Sequence, residues 1–330
     1  MKHFTIIMTA VLFALLSNAQ TAEQDSVEMG AGYANEVFYK LNDGAKNAVD
    51  RANWDLAFDV SGFGTAIRIN GAAGTELWQY PNGDTADWAS VDTAGIGSWT
   101  QAYDSEETWF YGAFDIPSTS DWRDIGWGMY NDQNHQIIGN KLFIIKLSDG
   151  SYQKVWVESM ISGAYTIRHA SLDGVMDMTH TVTKANFAGK NLGYFSLQNH
   201  TEVDREPLAT DWDFVVTRYV ADYNGPMSTV GGVLLNSGVY AAEARGLPAN
   251  EVNHFDYTSD SLINTIGWDW KDINYQNFQW ELEDSLSYFI SDVEGNIWQV
   301  EFTGFAGTSS GKVWFNKTLI SATVINDVET

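Results

Sequence analysis

The sequence has no cysteine. That excludes disulfides, thiolate metal sites, a thiol nucleophile and a lipid anchor attached through an N-terminal cysteine, so stability must come from packed cores. Basic residues are also few: 18 lysines and arginines face 43 acids, a formal net charge of -25. A surface of that sign repels phosphate backbones and anionic headgroups, which argues against nucleic-acid and membrane-surface partners. Beyond the first twenty residues there is no long apolar run, and the one near the start is too short to span a bilayer. What is abundant is glycine, at 29 residues, and tryptophan, at 14, within 44% hydrophobic composition. Acidity therefore does not mean disorder here; the chain reads as globular and β-rich.

Residues 1–19 have the order of a secretory signal peptide. Lys2 and His3 precede an apolar segment at 6–16, and Ser17-Asn18-Ala19 offers a small-residue cleavage site before Gln20. About 310 residues remain, enough for two ordinary domains.

Those residues repeat themselves. NWDLAF at 53–58 returns as DWDFVV at 211–216, each a Trp-Asp pair before a short apolar run. A strand precedes each: Val37-Phe38-Tyr39-Lys40-Leu41, closed by the turn-forming Asn42-Asp43-Gly44, and Gly193-Tyr194-Phe195-Ser196-Leu197. Matched β-hairpins follow at 142–159, turning at Asp149-Gly150, and at 288–304, turning at Gly295-Asn296. Each leads into one more strand, Tyr165-Thr166-Ile167-Arg168 or Lys312-Val313-Trp314-Phe315. Between these frameworks lie unequal loops, and both close on Ile-Gly-Trp, at 125–127 and 266–268. A period this long marks a duplicated domain, not a solenoid unit. The join is expected at 171–190, where 176–183 breaks the strand pattern. Helical periodicity is weak, with short helices expected only near 105–110 and 275–283.

Trp-Asp-Leu-Ala-Phe after an early strand, then a hairpin of the form apolar run–Asp-Gly–aromatic–Lys, then Tyr-Thr-Ile-Arg, resembles the HmuY-like haem-binding proteins of Bacteroidota. Residues 54–58, 143–157 and 165–168 carry the resemblance in the first copy; 212–216, 288–302 and 313–315 carry it more loosely in the second. It implies an all-β fold of two tandem HmuY-like antiparallel domains with little helix, at 27–172 and 186–322. It also implies a secreted or cell-surface, non-catalytic protein of iron acquisition, with haem or porphyrin as cofactor and haemoproteins as partners. The chain looks most like the tandem flavobacterial versions that carry a type IX sorting domain, and it stops at Thr330, where that domain would begin.

The resemblance implies iron held between paired axial side chains, His with His or Met with Met. The loop before the first hairpin supplies Met129 and His135, and the long loops of the second copy supply Met227 and His254. His135 and His254 are thus the axial candidates, against a reading of all four as ordinary loop residues. His169, His180 and His200 read as structural or solvent-facing. Gly307-Thr308-Ser309-Ser310-Gly311 fits a hydrolase pattern that needs a strand-to-helix elbow, but here it links two strands. Among the tryptophans, Trp54, Trp127, Trp212 and Trp268 hold matched framework positions and read as core. Trp78, Trp88, Trp99, Trp109 and Trp122 belong to first-copy loops, either as stacking platforms or as a second small core. A glycan-binding surface or matrix protein that keeps the fold without a haem site is therefore the alternative function.

Overall fold

Val37-Phe38-Tyr39 and Phe214-Val215-Val216 are apolar at every position, whereas a strand with one wet face would alternate. The computed structural model, which describes residues 21–323, supplies the reason: both faces of these strands are covered. The signal peptide expected at 1–19 lies outside the described residues. Val37 and Tyr39 enter one core with Phe214 and Val216, while Phe38 and Val215 enter another cluster on the opposite face.

The strands form two sandwiches. One four-stranded sheet runs Met227–Leu235, Phe214–Asp222, Asn35–Tyr39, Lys46–Asp50. It packs through Tyr39, Phe214 and Val233 against a five-stranded sheet whose buried residues include Tyr288, Val300 and Phe315. The other four-stranded sheet runs Thr201–Val203, Leu192–Ser196, Leu56–Asp59, Ile67–Ile69. It packs through Phe58, Ile67 and Phe195 against an eight-stranded sheet carrying Ile145, Val157 and Tyr165. Among the described residues the only helices are short 3-10 turns. The fold is all-β and antiparallel, as expected.

The strand pairing crosses between the two expected copies. Leu192–Ser196, the first strand of the second copy, pairs with Leu56–Asp59 of the first. Reciprocally, Asn35–Tyr39 of the first copy pairs with Phe214–Asp222 of the second. The sheets thus gather 56–203 into one sandwich and 23–50 with 214–321 into the other. The expected division at 27–172 and 186–322 cuts across both, because each copy's first hairpin sits in the other's sheet. The two aspartates of the Trp-Asp pairs secure the exchange in the same way. Buried Asp55 accepts the Leu197 N–H at 2.7 Å, and buried Asp213 accepts the Leu41 N–H at 2.7 Å.

Three local expectations are corrected. Residues 105–110 are not helical: the Ser105 and Thr108 hydroxyls accept from the Glu107 and Phe110 N–H groups, local turns that compete with a helix. The segment 275–283 holds the second strand of a hairpin, Lys271–Asn274 with Gln279–Leu282. Asn274 and Asn277 set its turn by accepting from N–H groups two residues on. Residues 176–183 do not break the pattern, for Asp177–Thr183 is an edge strand along Ala164–Ser171. Its threonines favour extended chain, and an edge needs no apolar run.

Candidate functional site: a cavity between the exchanged sheets

The faces of the two four-stranded sheets that point away from their own cores enclose a cavity of about 420 Å³. Strand alternation chooses the lining. From one sheet come Glu36, Phe38, Val215, Thr217 and Tyr219; from the other come Arg68, Leu192 and Tyr194, with Trp54 and Trp212 just ahead of the Trp-Asp strands. Trp109, from the long first-copy loop, spans the two. Its indole lies 6.4 Å from that of Trp212, packs against Tyr194's cluster, and donates Nε1–H to the Leu235 carbonyl at 2.8 Å.

Buried charge ties the walls together. Arg205 pairs with Glu36 at 2.6 Å, donates to Asn53 and to the Asp50 carbonyl, and lies over the rings of Trp54 and Tyr194. One arginine therefore clasps both chain crossings. Glu206 is fully enclosed, and burial pushes its carboxyl up to about 7 although the Asn191 N–H and Tyr194 hydroxyl both donate to it. Burial also raises Asp104, despite the Arg68 guanidinium 3.8 Å away. Four buried polar atoms of the lining residues have no partner: Trp54 Nε1, Thr75 Oγ1, Trp212 Nε1 and the Tyr219 hydroxyl. Unpaired buried donors of this kind are costly and suit a wall that a ligand completes.

Of the four ligand candidates from sequence, only Met227 lines the cavity, at the tip of the Phe214–Leu235 hairpin. Met129 and His135 share one small hairpin, Gly128–Asn131 with Gln136–Gly139; His135 is exposed at its turn, its Nδ1 2.5 Å from the Tyr130 hydroxyl. His254 sits in a 3-10 turn against Phe255, ring centroids 3.9 Å apart, away from the cavity wall. The three histidines set aside as structural or solvent-facing are the ones the fold gathers: His169, His180 and His200 form a cluster.

The tryptophans divide as well. Trp127, Trp212 and half-buried Trp54 hold framework positions, but matched Trp268 leans on Tyr223 while Trp270 takes the buried place, stacked on Phe302 at 4.4 Å. Trp78, Trp88 and Trp99 build a second small core with Ile144 and Trp156, and Trp122 is exposed. Sequence reasoning missed Tyr219 and Arg68 as wall residues. The signal was present in the alternation Val215, Thr217, Tyr219 on one face of a strand whose other face was plainly core.

Among the described residues no helix is long and apolar enough to cross a membrane. No curated protein matches the chain significantly. Residues 32–172 match the family described as HmuY protein. That segment holds the first Trp-Asp strand, the apolar hairpin and the tyrosine strand after it, and it is this part of the chain that is similar to the HmuY family.

Proposed function

We propose that this chain is a non-catalytic, extracellular or cell-surface protein that binds haem or a related porphyrin in the cavity between its two four-stranded sheets. The family supports haem as the ligand class. The volume of about 420 Å³ lies in the range of small-molecule sites, and Trp54, Trp109, Trp212 and Tyr194 give it aromatic walls. The observation that carries the reading is the Tyr219 hydroxyl, buried without a partner on that wall, with the Met227 thioether farther along the same hairpin. Phenolate oxygen and thioether sulfur are both donors to haem iron. Burial holds the Tyr219 hydroxyl protonated in the free protein, so binding at that oxygen would release its proton. Arg218, which spends one N–H on the Thr229 carbonyl, is the cation for a propionate.

Titration with haemin, read at the Soret band, tests this. The expected result is a band distinct from free haemin, with at least tenfold weaker binding in Tyr219→Phe or Met227→Leu. A spectrum equal to that of free haemin sinks the haem reading. Wild-type behaviour of both variants keeps the function and discards these ligands. His135→Ala and His254→Ala belong in the same series, because a change in either would move the iron to the outer loops.

A second reading has its own support in the two unpartnered indole N–H groups and the wall carboxylates of Glu36, Glu76, Asp104 and Glu106. A hydroxyl-rich glycan accepts from the first and donates to the second. It fails if no polysaccharide in a broad panel binds, or if binding survives Trp109→Ala.

A further inference from the structure

Away from the cavity, three of the six histidines meet where the exchanged hairpin 192–203 touches the eight-stranded sheet of the first sandwich. His169 is on Ala164–Ser171, His180 on Asp177–Thr183, and His200 in the turn joining Leu192–Ser196 to Thr201–Val203. Strand register puts the first two together: His180 lies opposite Ile167, so it is the diagonal neighbour of His169 on the same face. Their ring centroids are 5.2 Å apart, and those of His169 and His200 are 5.3 Å apart. One ring nitrogen from each lies within 4.8 Å of the others.

Two features separate this cluster from ordinary packing. His169 Nε2, His180 Nε2 and His200 Nδ1 are buried and have no hydrogen-bond partner, and His169 is wholly enclosed. Leaving one such nitrogen buried and unpaired is costly, and three converge here. Next, the second nitrogen of His169 is committed: its Nδ1 lies 2.7 Å from Gln153 Oε1, which fixes Nδ1–H as a donor and leaves the Nε2 lone pair free. An outer partner that orients the ring in this way is a regular feature of imidazole metal sites.

We propose that His169, His180 and His200 bind a divalent transition metal ion of the zinc class, clamping the exchanged hairpin onto the first sandwich. Three imidazoles suit zinc, cobalt, nickel or copper, and bonds near 2.0–2.1 Å require nitrogens about 3.4 Å apart. Half-exposed His180 and His200 are the rings free to close that distance. The rings are too close together to admit a porphyrin, so this site is separate from the cavity.

Cobalt(II) added to the chelator-stripped chain, without haem, is the direct test. The expected result is one cobalt per chain with a visible d–d spectrum, displaced by zinc, and a melting temperature raised by zinc. His180→Ala and His200→Ala should each weaken binding at least tenfold, Gln153→Leu about tenfold, and His135→Ala not at all. Absence of a cobalt spectrum from the folded wild-type chain at millimolar metal overturns the proposal without recourse to variants. Wild-type affinity in both folded histidine variants also overturns it.

Discussion

At Glu206 burial and charge are in direct conflict. Its carboxyl is enclosed beside Tyr194, Asn191 and the Arg205–Glu36 pair, and burial raises its pKa from the ordinary 4.5 to about 7. A group whose folded pKa exceeds its unfolded one contributes stability that is complete below the unfolded value and lost as pH climbs through the folded one. For Glu206 the loss runs from about pH 4.5 to about 7. Glu206→Gln keeps an oxygen for the Asn191 N–H and carries no charge. It should therefore be more stable than wild type above pH 7, by up to about 3 kcal/mol, with the advantage gone near pH 4.5. Urea midpoints of the two proteins at pH 5 and pH 8 measure this, and an equal gap at both values contradicts it. Asp213, raised to about 6 by burial, acts in the same direction as Glu206, whereas His169, lowered to about 4, loses stability as pH falls from about 6.5. Both remain in wild type and variant alike, so the difference isolates Glu206.

Among the elements, the exchanged hairpins decide how the molecule holds together. Asp55 accepts from the Leu197 N–H, the Gln198 N–H and the Ser196 hydroxyl, all belonging to the hairpin 192–203. Asp55→Ala should leave those donors buried and unpaired and cost on the order of 2–3 kcal/mol. The loss should appear as a lower urea midpoint and as faster amide exchange confined first to 192–203; unchanged exchange there would contradict the role. The strands themselves were legible, since the apolar runs, the Asp149-Gly150 and Gly295-Asn296 turns and the Trp-Asp pairs are local signals. Their partners were not. Val37-Phe38-Tyr39 and Gly193-Tyr194-Phe195 suit either Trp-Asp strand equally, and only long-range packing chooses between them. The histidine cluster was hidden for the same reason: residues 169, 180 and 200 have no motif spacing. Reading 177–183 as a strand would have brought His169 and His180 together, but nothing in the sequence adds His200, which arrives with the exchanged hairpin.

Across the whole molecule, the exchange makes one sandwich continuous in sequence and the other split around it. Residues 53–203 contain every strand of the first sandwich, and its core from Leu56 to Leu197 closes without residues from outside that span. The segment 27–172, which follows the sequence repeat, lacks Asp177–Thr183 and Leu192–Val203, and it retains Asn35–Asp50, whose partner strand is then gone. Expressed alone, 53–203 should fold cooperatively, with dispersed amide signals and a single urea transition. The 27–172 segment should aggregate or remain loosely structured, since it exposes two unpaired strand edges. The metal proposal sharpens the comparison, because 53–203 carries all three histidines and should bind cobalt as the full chain does. A folded 27–172 together with an unfolded 53–203 would refute the exchange and restore two sequential domains. The matched family segment at 32–172 ends before the hairpin 192–203, so the strand that completes the sheet beside Leu56–Asp59 comes from outside that segment. The cavity depends on both exchanges, so neither sandwich alone should retain a ligand that the full chain binds there.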